Sequence, residues 1–164
     1  MALTFPLVSL ALLDRIGLSL GSLCEAGDII CLGGELGAGK TTLTRAIARG
    51  AGTDSQEYVC SPTFAFMHEY KGVVPLYHMD FYRLGSSDDV FELGLHEYFY
   101  ASGITIIEWY ERAENLIPPA HLLVRLELVD ADNRRLTFSS PQVTWENRLA
   151  ILEKICRPPG TEAP

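Results

Sequence analysis

The sequence predicts an α/β fold: a mixed sheet, parallel at its core and edged by antiparallel hairpins, flanked by helices. Three observations carry that expectation. Ile29-Ile30-Cys31-Leu32 and Ile104-Thr105-Ile106-Ile107 are short apolar runs with the length and β-branching of central buried strands. Two pairs of apolar segments flank the turn sequences Lys71-Gly72 and Asp130-Ala131-Asp132-Asn133, as hairpins do. Segments with helical apolar spacing alternate with these runs, the pattern of layered α/β folds.

Taken in order, Leu7 to Leu23 has helical spacing, and Glu25-Ala26-Gly27-Asp28 reads as a turn. Ile29 to Leu32 is the first strand and Gly33 to Gly39 a glycine-rich loop. Thr41 to Ala48 reads as a helix stopped by Gly50 and Gly52. Ser61-Pro62 marks a loop before the hairpin of Phe64 to Tyr70 and Val73 to Met79. Ser86-Ser87-Asp88-Asp89 has the polar composition of a helix start, and Gly94 marks a break. After the strand Ile104 to Ile107 come the hairpin of Leu122 to Val129 with Arg135 to Phe138, then a closing helix from Val143 to Ile155. No repeat or linker divides the chain, so one domain is expected over residues 1–156. The Pro-rich segment 157–164 is expected to be a flexible C-terminal tail.

Bulk properties narrow the function classes. At 164 residues, 48% hydrophobic and 21% charged, the chain can bury a substantial core. No apolar run reaches membrane-spanning length. Leu7 to Leu13 has no Lys or Arg before it and is interrupted by Asp14-Arg15, so it reads as a buried helix and not a leader, and a cytoplasmic protein is expected. The net charge of −8 makes the chain a poor stand-alone binder of nucleic acid, whose non-specific affinity comes from phosphate neutralisation. Cys24, Cys31, Cys60 and Cys156 form no C-x-x-C pair and match no zinc spacing, so no chemistry is assigned to them.

Gly34-Glu35-Leu36-Gly37-Ala38-Gly39-Lys40-Thr41 fits G-x-x-x-x-G-K-[ST] at every fixed position. By average composition a chance match in a chain this long has odds of about one in a hundred. The context is also right, because the motif follows an apolar strand and opens a helix. Glycines let successive backbone N–H groups face phosphate oxygens, and the helix start adds its positive dipole end. Lys40 brings a point charge to the β/γ phosphates and Thr41 a hydroxyl to Mg²⁺. ATP and Mg²⁺ are therefore the expected cofactors of a P-loop NTPase-like fold. Hydrolysis also needs an acid at the metal. Glu108 ends the apolar strand from Ile104, at the edge where such sheets bind ligands, and Asp80 follows Leu76-Tyr77-His78-Met79 in the same way. The alternatives are a solvated strand-end glutamate and a loop-capping aspartate.

With these elements assembled, the chain resembles the TsaE (YjeE) family of bacterial P-loop ATPases. The resemblance runs from Asp28 to Trp109 through the P-loop, Ser61-Pro62-Thr63-Phe64, His78-Met79-Asp80-Phe81-Tyr82-Arg83-Leu84, Glu92-Leu93-Gly94 and Glu108-Trp109. It implies ATP hydrolysis in support of threonylcarbamoyladenosine modification of tRNA adenosine 37. It implies TsaD and TsaB as partners, with tRNA met only through that complex. By resemblance Gly37, Ala38, Gly39, Lys40, Thr41 and Thr42 hold the phosphates. Thr41 and Glu108 serve Mg²⁺ directly or through water, Thr63 approaches the γ-phosphate or the metal from a switch-like loop, and Asp80 places the metal or the attacking water. Trp109 lies by the nucleotide; its alternative is a core aromatic. The catalytic set is thus Lys40, Thr63, Asp80 and Glu108. His78 is a site residue or a satisfied structural histidine, and Arg83 pairs with phosphate or with a local carboxylate. Ser9 and Arg134 are candidates for adenine contacts. The chain departs from the family in Glu35, where Asp is usual, and in Tyr110, where Pro is usual after Glu-Trp. A P-loop small-molecule kinase using Asp80 as base is the competing activity, although no arginine-rich lid is evident. A non-catalytic nucleotide-binding subunit is the third reading, against which Lys40, Thr41 and Glu108 stand together.

Overall fold

Strand β2 (Ile29–Gly33) is buried along its whole length, as its uninterrupted apolar sequence requires. In the computed structural model, which describes residues 2–54 and 58–157, it lies mid-sheet between β5 (Ile104–Glu108) and β6 (His121–Leu128), parallel to both. The other strands are β1 (Ala2–Ser9), β3 (Met67–Tyr70), β4 (Leu76–Asp80) and β7 (Asn133–Ser139). The sheet order is β1-β7-β6-β2-β5-β4-β3. The parallel core is β6-β2-β5-β4; β7 and β1 extend one edge and β3 the other, all antiparallel. The fold is the expected mixed α/β sheet flanked by helices.

Helices α1 (Leu10–Leu23), α2 (Lys40–Gly50) and α4 (Glu146–Cys156) cover one face, over a core that includes Leu13, Leu43, Ile30, Ile106 and Trp145. Helix α3 (Ser87–Glu92) and the 3₁₀ turns Leu95–Tyr100 and Tyr110–Leu116 cover the other, around Met79, Phe81, Phe99 and Ile107. Neither 3₁₀ turn was expected from the sequence. Both hairpins were, although the first is shorter than expected: Phe64 lies in a turn ahead of β3 and is 85% exposed. The closing helix opens with a 3₁₀ turn, Val143–Trp145.

The N-terminus departs from the expectation. Leu7 to Ser9 belong to strand β1 and not to the helix. Leu3, Phe5 and Val8 are buried against β7, and the register shifts between Phe5 and Val8, around Pro6. Proline is tolerated there because β1 is an edge strand. Ser9 caps α1, its Oγ accepting from the Leu12 N–H at 3.3 Å. Of the tail, only Arg157 is among the described residues.

Helices α1 and α2 meet at glycines. A Cβ on Gly21 would sit 2.1 Å from the Ile47 carbonyl oxygen, and one on Gly50 2.1 Å from that of Leu18. This close approach seats α2, and with it the loop at its N-terminus, against the rest of the helical layer. Among the described residues no helix is long and apolar enough to cross a membrane. Gly21→Ala is expected to destabilise the fold by about 1–3 kcal/mol through overpacking. Urea unfolding should show a lowered midpoint with an unchanged slope, and an unaltered midpoint would refute the tight α1–α2 contact.

Candidate functional site

The loop between β2 and α2 turns back over the end of the sheet. Gly34 has φ +142, and a Cβ there would fall 2.4 Å from the Leu126 carbonyl oxygen. Gly39, at the N-cap of α2, has φ +106. Both are conformations that only glycine adopts readily. The result is a helix N-terminus, where the first N–H groups have no intrahelical partner, beside a cavity of about 370 Å³. Gly37, Gly39, Lys40, Thr41, Thr42, Thr63, Asp80, Glu108 and Trp109 all line this cavity. Ala38 does not. It is fully buried, its N–H donates to the Glu35 carbonyl, and its own carbonyl accepts from Arg134 Nε at 3.2 Å.

The parallel pairing of β4 and β5 puts Asp80 directly opposite Glu108 at the carboxyl ends of both strands. Glu108 accepts from the Thr41 hydroxyl at 2.9 Å to Oε1 and 3.2 Å to Oε2, which ties β5 to the first turn of α2. His78, two residues before Asp80 and on the same face of β4, has Nε2 2.8 Å from Glu108 Oε1. Asp80 Oδ2 accepts from Thr63 Oγ1 at 3.1 Å and from Ser61 Oγ, and its Oδ1 accepts from the Tyr82 N–H at 2.9 Å. Each carboxylate is thus held by donors, which lets two acids sit side by side.

Lys40 is only 4% exposed. Its Nζ donates to the carbonyls of Gly34 at 2.6 Å and Glu35 at 2.8 Å and lies 4.2 Å from the centre of the Trp109 ring. Burial pushes the ammonium below the ordinary lysine pKa, while Glu108, Glu111 and Asp80 pull it back up. Trp109 takes a left-handed backbone conformation, φ 60 and ψ 36, and its ring packs on Tyr82 at 4.9 Å. A following proline would push residue 109 toward extended geometry. With Tyr110 there, buried and opening a 3₁₀ turn, the left-handed turn that aims Trp109 into the cavity wall is accommodated.

The remaining candidates fall outside this cluster. The Arg83 guanidinium lies over the Phe64 ring at 4.9 Å. Ser9 uses its hydroxyl as the α1 cap. Arg134 braces the loop from beneath, through the Ala38 carbonyl. Glu35 takes part through its backbone, accepting from Lys40 and from the Ala38 N–H. Sequence reasoning gave Ser61 no role, yet it bonds both Asp80 and Thr63. The available signal was the Ser-x-Thr spacing, which puts two hydroxyls within reach of one carboxylate. Tyr82, the packing partner of Trp109, was likewise not singled out.

Residues 7–136 match the profile of the family described as threonylcarbamoyl adenosine biosynthesis protein TsaE. The chain belongs to this family. Among TsaE relatives, the tRNA threonylcarbamoyladenosine biosynthesis protein TsaE of Treponema pallidum is 40% identical over 125 residues, covering 76% of this chain and 91% of that protein. Its namesake from Bacillus subtilis is 42% identical over 117 residues, covering 71% and 72%. The crystal structure of Bacillus subtilis YdiB superposes with a TM-score of 0.79 at 32% identity, covering 94% of this chain and 95% of that one.

Next to this TsaE-family cavity, Cys60 precedes the Ser61-Pro62-Thr63 loop, with Sγ 4.0 Å from His68 Nδ1. Burial pushes the Cys24 and Cys31 thiols far up, and Cys156 is fully buried. A disulfide-exchange reagent at mildly alkaline pH should therefore modify one thiol quickly. Cys60→Ser should abolish the fast phase. Persistence of that phase in Cys60→Ser would show that another cysteine is the accessible one.

Proposed function

We propose that this protein binds ATP with Mg²⁺ in the cavity at the N-terminus of α2 and hydrolyses it. By family membership its role is in threonylcarbamoyladenosine biosynthesis. The observation that carries the reading is the Thr41–Glu108 hydrogen bond, with Asp80 beside Glu108, at a glycine-bounded helix start. A hydroxyl and a carboxylate are hard oxygen donors of the kind Mg²⁺ takes. Among the described residues no group of three or more His, Cys, Asp or Glu is arranged to hold a metal. Mg²⁺ takes one or two protein oxygens together with waters and substrate phosphates, and the Thr41 hydroxyl and Glu108 carboxylate would be those oxygens. When bound, the metal would supply charge neutralisation for the phosphates.

The residues have distinct roles in this reading. The N–H groups of Gly37, Gly39, Lys40, Thr41 and Thr42 receive phosphate oxygens, with Ala38 supporting the loop from within. Lys40 exchanges its two carbonyl partners for phosphate. Thr41 and Glu108 hold the metal. Asp80 orients the attacking water, and Thr63, already hydrogen-bonded to Asp80, senses the γ-phosphate from its loop. Trp109 forms one wall. The same Asp80 would serve a kinase as base, but its three donors favour an orienting acceptor over a free base.

The test is Mg²⁺-dependent phosphate release together with calorimetric ATP binding. Lys40→Ala is expected to lose ATP binding while staying folded. Glu108→Gln is expected to bind ATP within a few-fold of the parent and to turn over about 100-fold more slowly. Unchanged hydrolysis in Glu108→Gln at saturating Mg²⁺ would remove Glu108 from the mechanism. ATP-dependent phosphorylation of a small alcohol or nucleoside in the same assay would favour the kinase.

The partners in this reading are TsaD and TsaB, and the setting is the cytoplasm. A chain of net charge −8 is a poor stand-alone binder of tRNA, and in this reading contact with tRNA runs through the complex. The mouth of the site is also apolar: Leu36 and Phe64 are exposed and Tyr82 is partly so, a surface of the sort that docks protein. Recovery of TsaD–TsaB on the immobilised protein should differ between ATP, ADP and no nucleotide, and should weaken in Thr63→Ala and Trp109→Ala. Equal recovery under all three conditions and in both variants would reject coupling between the nucleotide and the partner surface.

A further inference from the structure

Beneath the two carboxylates lies a histidine that the proposed mechanism does not use. His78 is completely buried in the middle of β4, with Leu76 and Ile106 on the same face of the sheet. Its Nε2 is 2.8 Å from Glu108 Oε1, and its Nδ1 is buried with no hydrogen-bond partner among the described residues. An ionised carboxylate can only accept, so opposite it Nε2 is the nitrogen that carries the hydrogen. An orphaned lone pair on Nδ1 is tolerated more easily than an orphaned N–H, and this too favours the Nε2–H form. A histidine kept in the core at the cost of one unsatisfied nitrogen needs a reason, and among the described residues the hydrogen-bond partner it reaches is Glu108.

We propose that His78 is the positioning residue for Glu108: its Nε2–H anchors Oε1 from the core side and leaves Oε2 turned to the cavity. The inference rests on the ATPase reading. Glu108 now has two side-chain donors, Thr41 and His78. If Thr41 gave its hydroxyl oxygen to a metal, the bond from His78 would be the one left, among the described side-chain donors, to fix the carboxylate. The geometry that allows this is local. Asp80 is opposite Glu108 in the parallel register, so the residue two before Asp80 lies diagonally behind Glu108 on the same face. A donor that grips a metal-facing carboxylate from behind sets its orientation, and losing such a donor lowers metal affinity or turnover by about 10- to 100-fold.

The test compares the parent with His78→Gln, His78→Asn and His78→Leu. A glutamine amide nitrogen has about the reach of imidazole Nε2, and an asparagine amide has that of Nδ1. Gln should therefore retain the anchor, and Asn and Leu should lose it. Three readouts are taken. The first, on the nucleotide-free protein, is the ¹⁵N shifts of the His78 ring, expected to report Nε2–H; the Nδ1–H tautomer overturns the proposal. The second is the Mg²⁺ concentration that half-saturates tight ATP binding, expected to rise about 10-fold or more in Asn and Leu and to stay near the parent in Gln. The third is turnover, expected to fall in the same order with KM for ATP little changed. Equal behaviour of Gln and Asn, or parent-like Mg²⁺ dependence in folded Leu, also overturns it. If Leu fails to fold, the Gln–Asn contrast decides. A parent that binds Mg·ATP without hydrolysing it rejects the ATPase reading, and the Mg²⁺ titration still decides on His78; a parent that binds no nucleotide overturns both.

Discussion

Asp80 lies across from Glu108 because β4 and β5 pair in parallel with Leu76 opposite Ile104 and no shift along the ladder. A slip of one residue would turn every β4 side chain to the other face, sending His78 and Asp80 into the apolar layer around Met79 and Phe99. That slip is opposed by Tyr77, Met79 and Phe81, which are buried on the far face and would be driven into the layer beneath α1 and α2. The hydrophobic pattern of one strand therefore fixes the position of the acids. The rest of the cluster depends on it: Thr41 reaches Glu108 because α2 starts over this edge, and Ser61 and Thr63 reach Asp80 because β3 pairs with β4 and returns the chain past it.

The site concentrates charge in a place with little water. Lys40, Asp80 and Glu108 are each at most 4% exposed. Burial pushes the Lys40 ammonium toward its neutral form, and the neighbouring Glu108, Glu111 and Asp80 oppose that. The arrangement works only as a set. Removing one member leaves the others buried without compensation, a larger loss than the net worth of any single pair. For this reason charge-neutral, shape-keeping substitutions are more informative here than truncations.

Much of this was legible in the sequence. β2 and β5 were readable because buried parallel strands carry uninterrupted apolar runs, and the phosphate-type loop because its glycines and Lys40-Thr41 have a fixed spacing. β1 was not: Pro6 and the register shift break its alternation, and exposed Leu7 and Leu10 imitate a helical stripe that starts too early. The 3₁₀ turns at Leu95–Tyr100 and Tyr110–Leu116 are too short to generate a period. The bond from His78 to Glu108 links residues 30 apart and exists only because of strand register, which a single sequence does not state. The left-handed turn at Trp109 was obscured for a related reason, since it depends on what Tyr110 permits and not on Trp109 itself.

The described site is already closed upon itself. Lys40 is held by two carbonyls and an aromatic face, Thr41 by Glu108, and Thr63 and Ser61 by Asp80. An entering anion and cation must therefore displace internal bonds, and the gain from each new contact is the difference between it and the bond it replaces. Such an exchange favours ligands that replace several bonds at once. A phosphate alone can recruit Lys40 but leaves the Thr41–Glu108 pair intact; a cation alone finds Thr41 and Glu108 but no counter-charge at the helix start. Under the proposed reading, a metal–polyphosphate complex would meet both requirements together, and the Thr63–Asp80 bond would be the next one exposed to competition. The loop carrying Ser61 and Thr63, with Phe64 exposed beside it, is thus the segment whose position depends most directly on what occupies the cavity. Under the proposed reading, that dependence is the physical route by which a γ-phosphate would alter the surface offered to a partner.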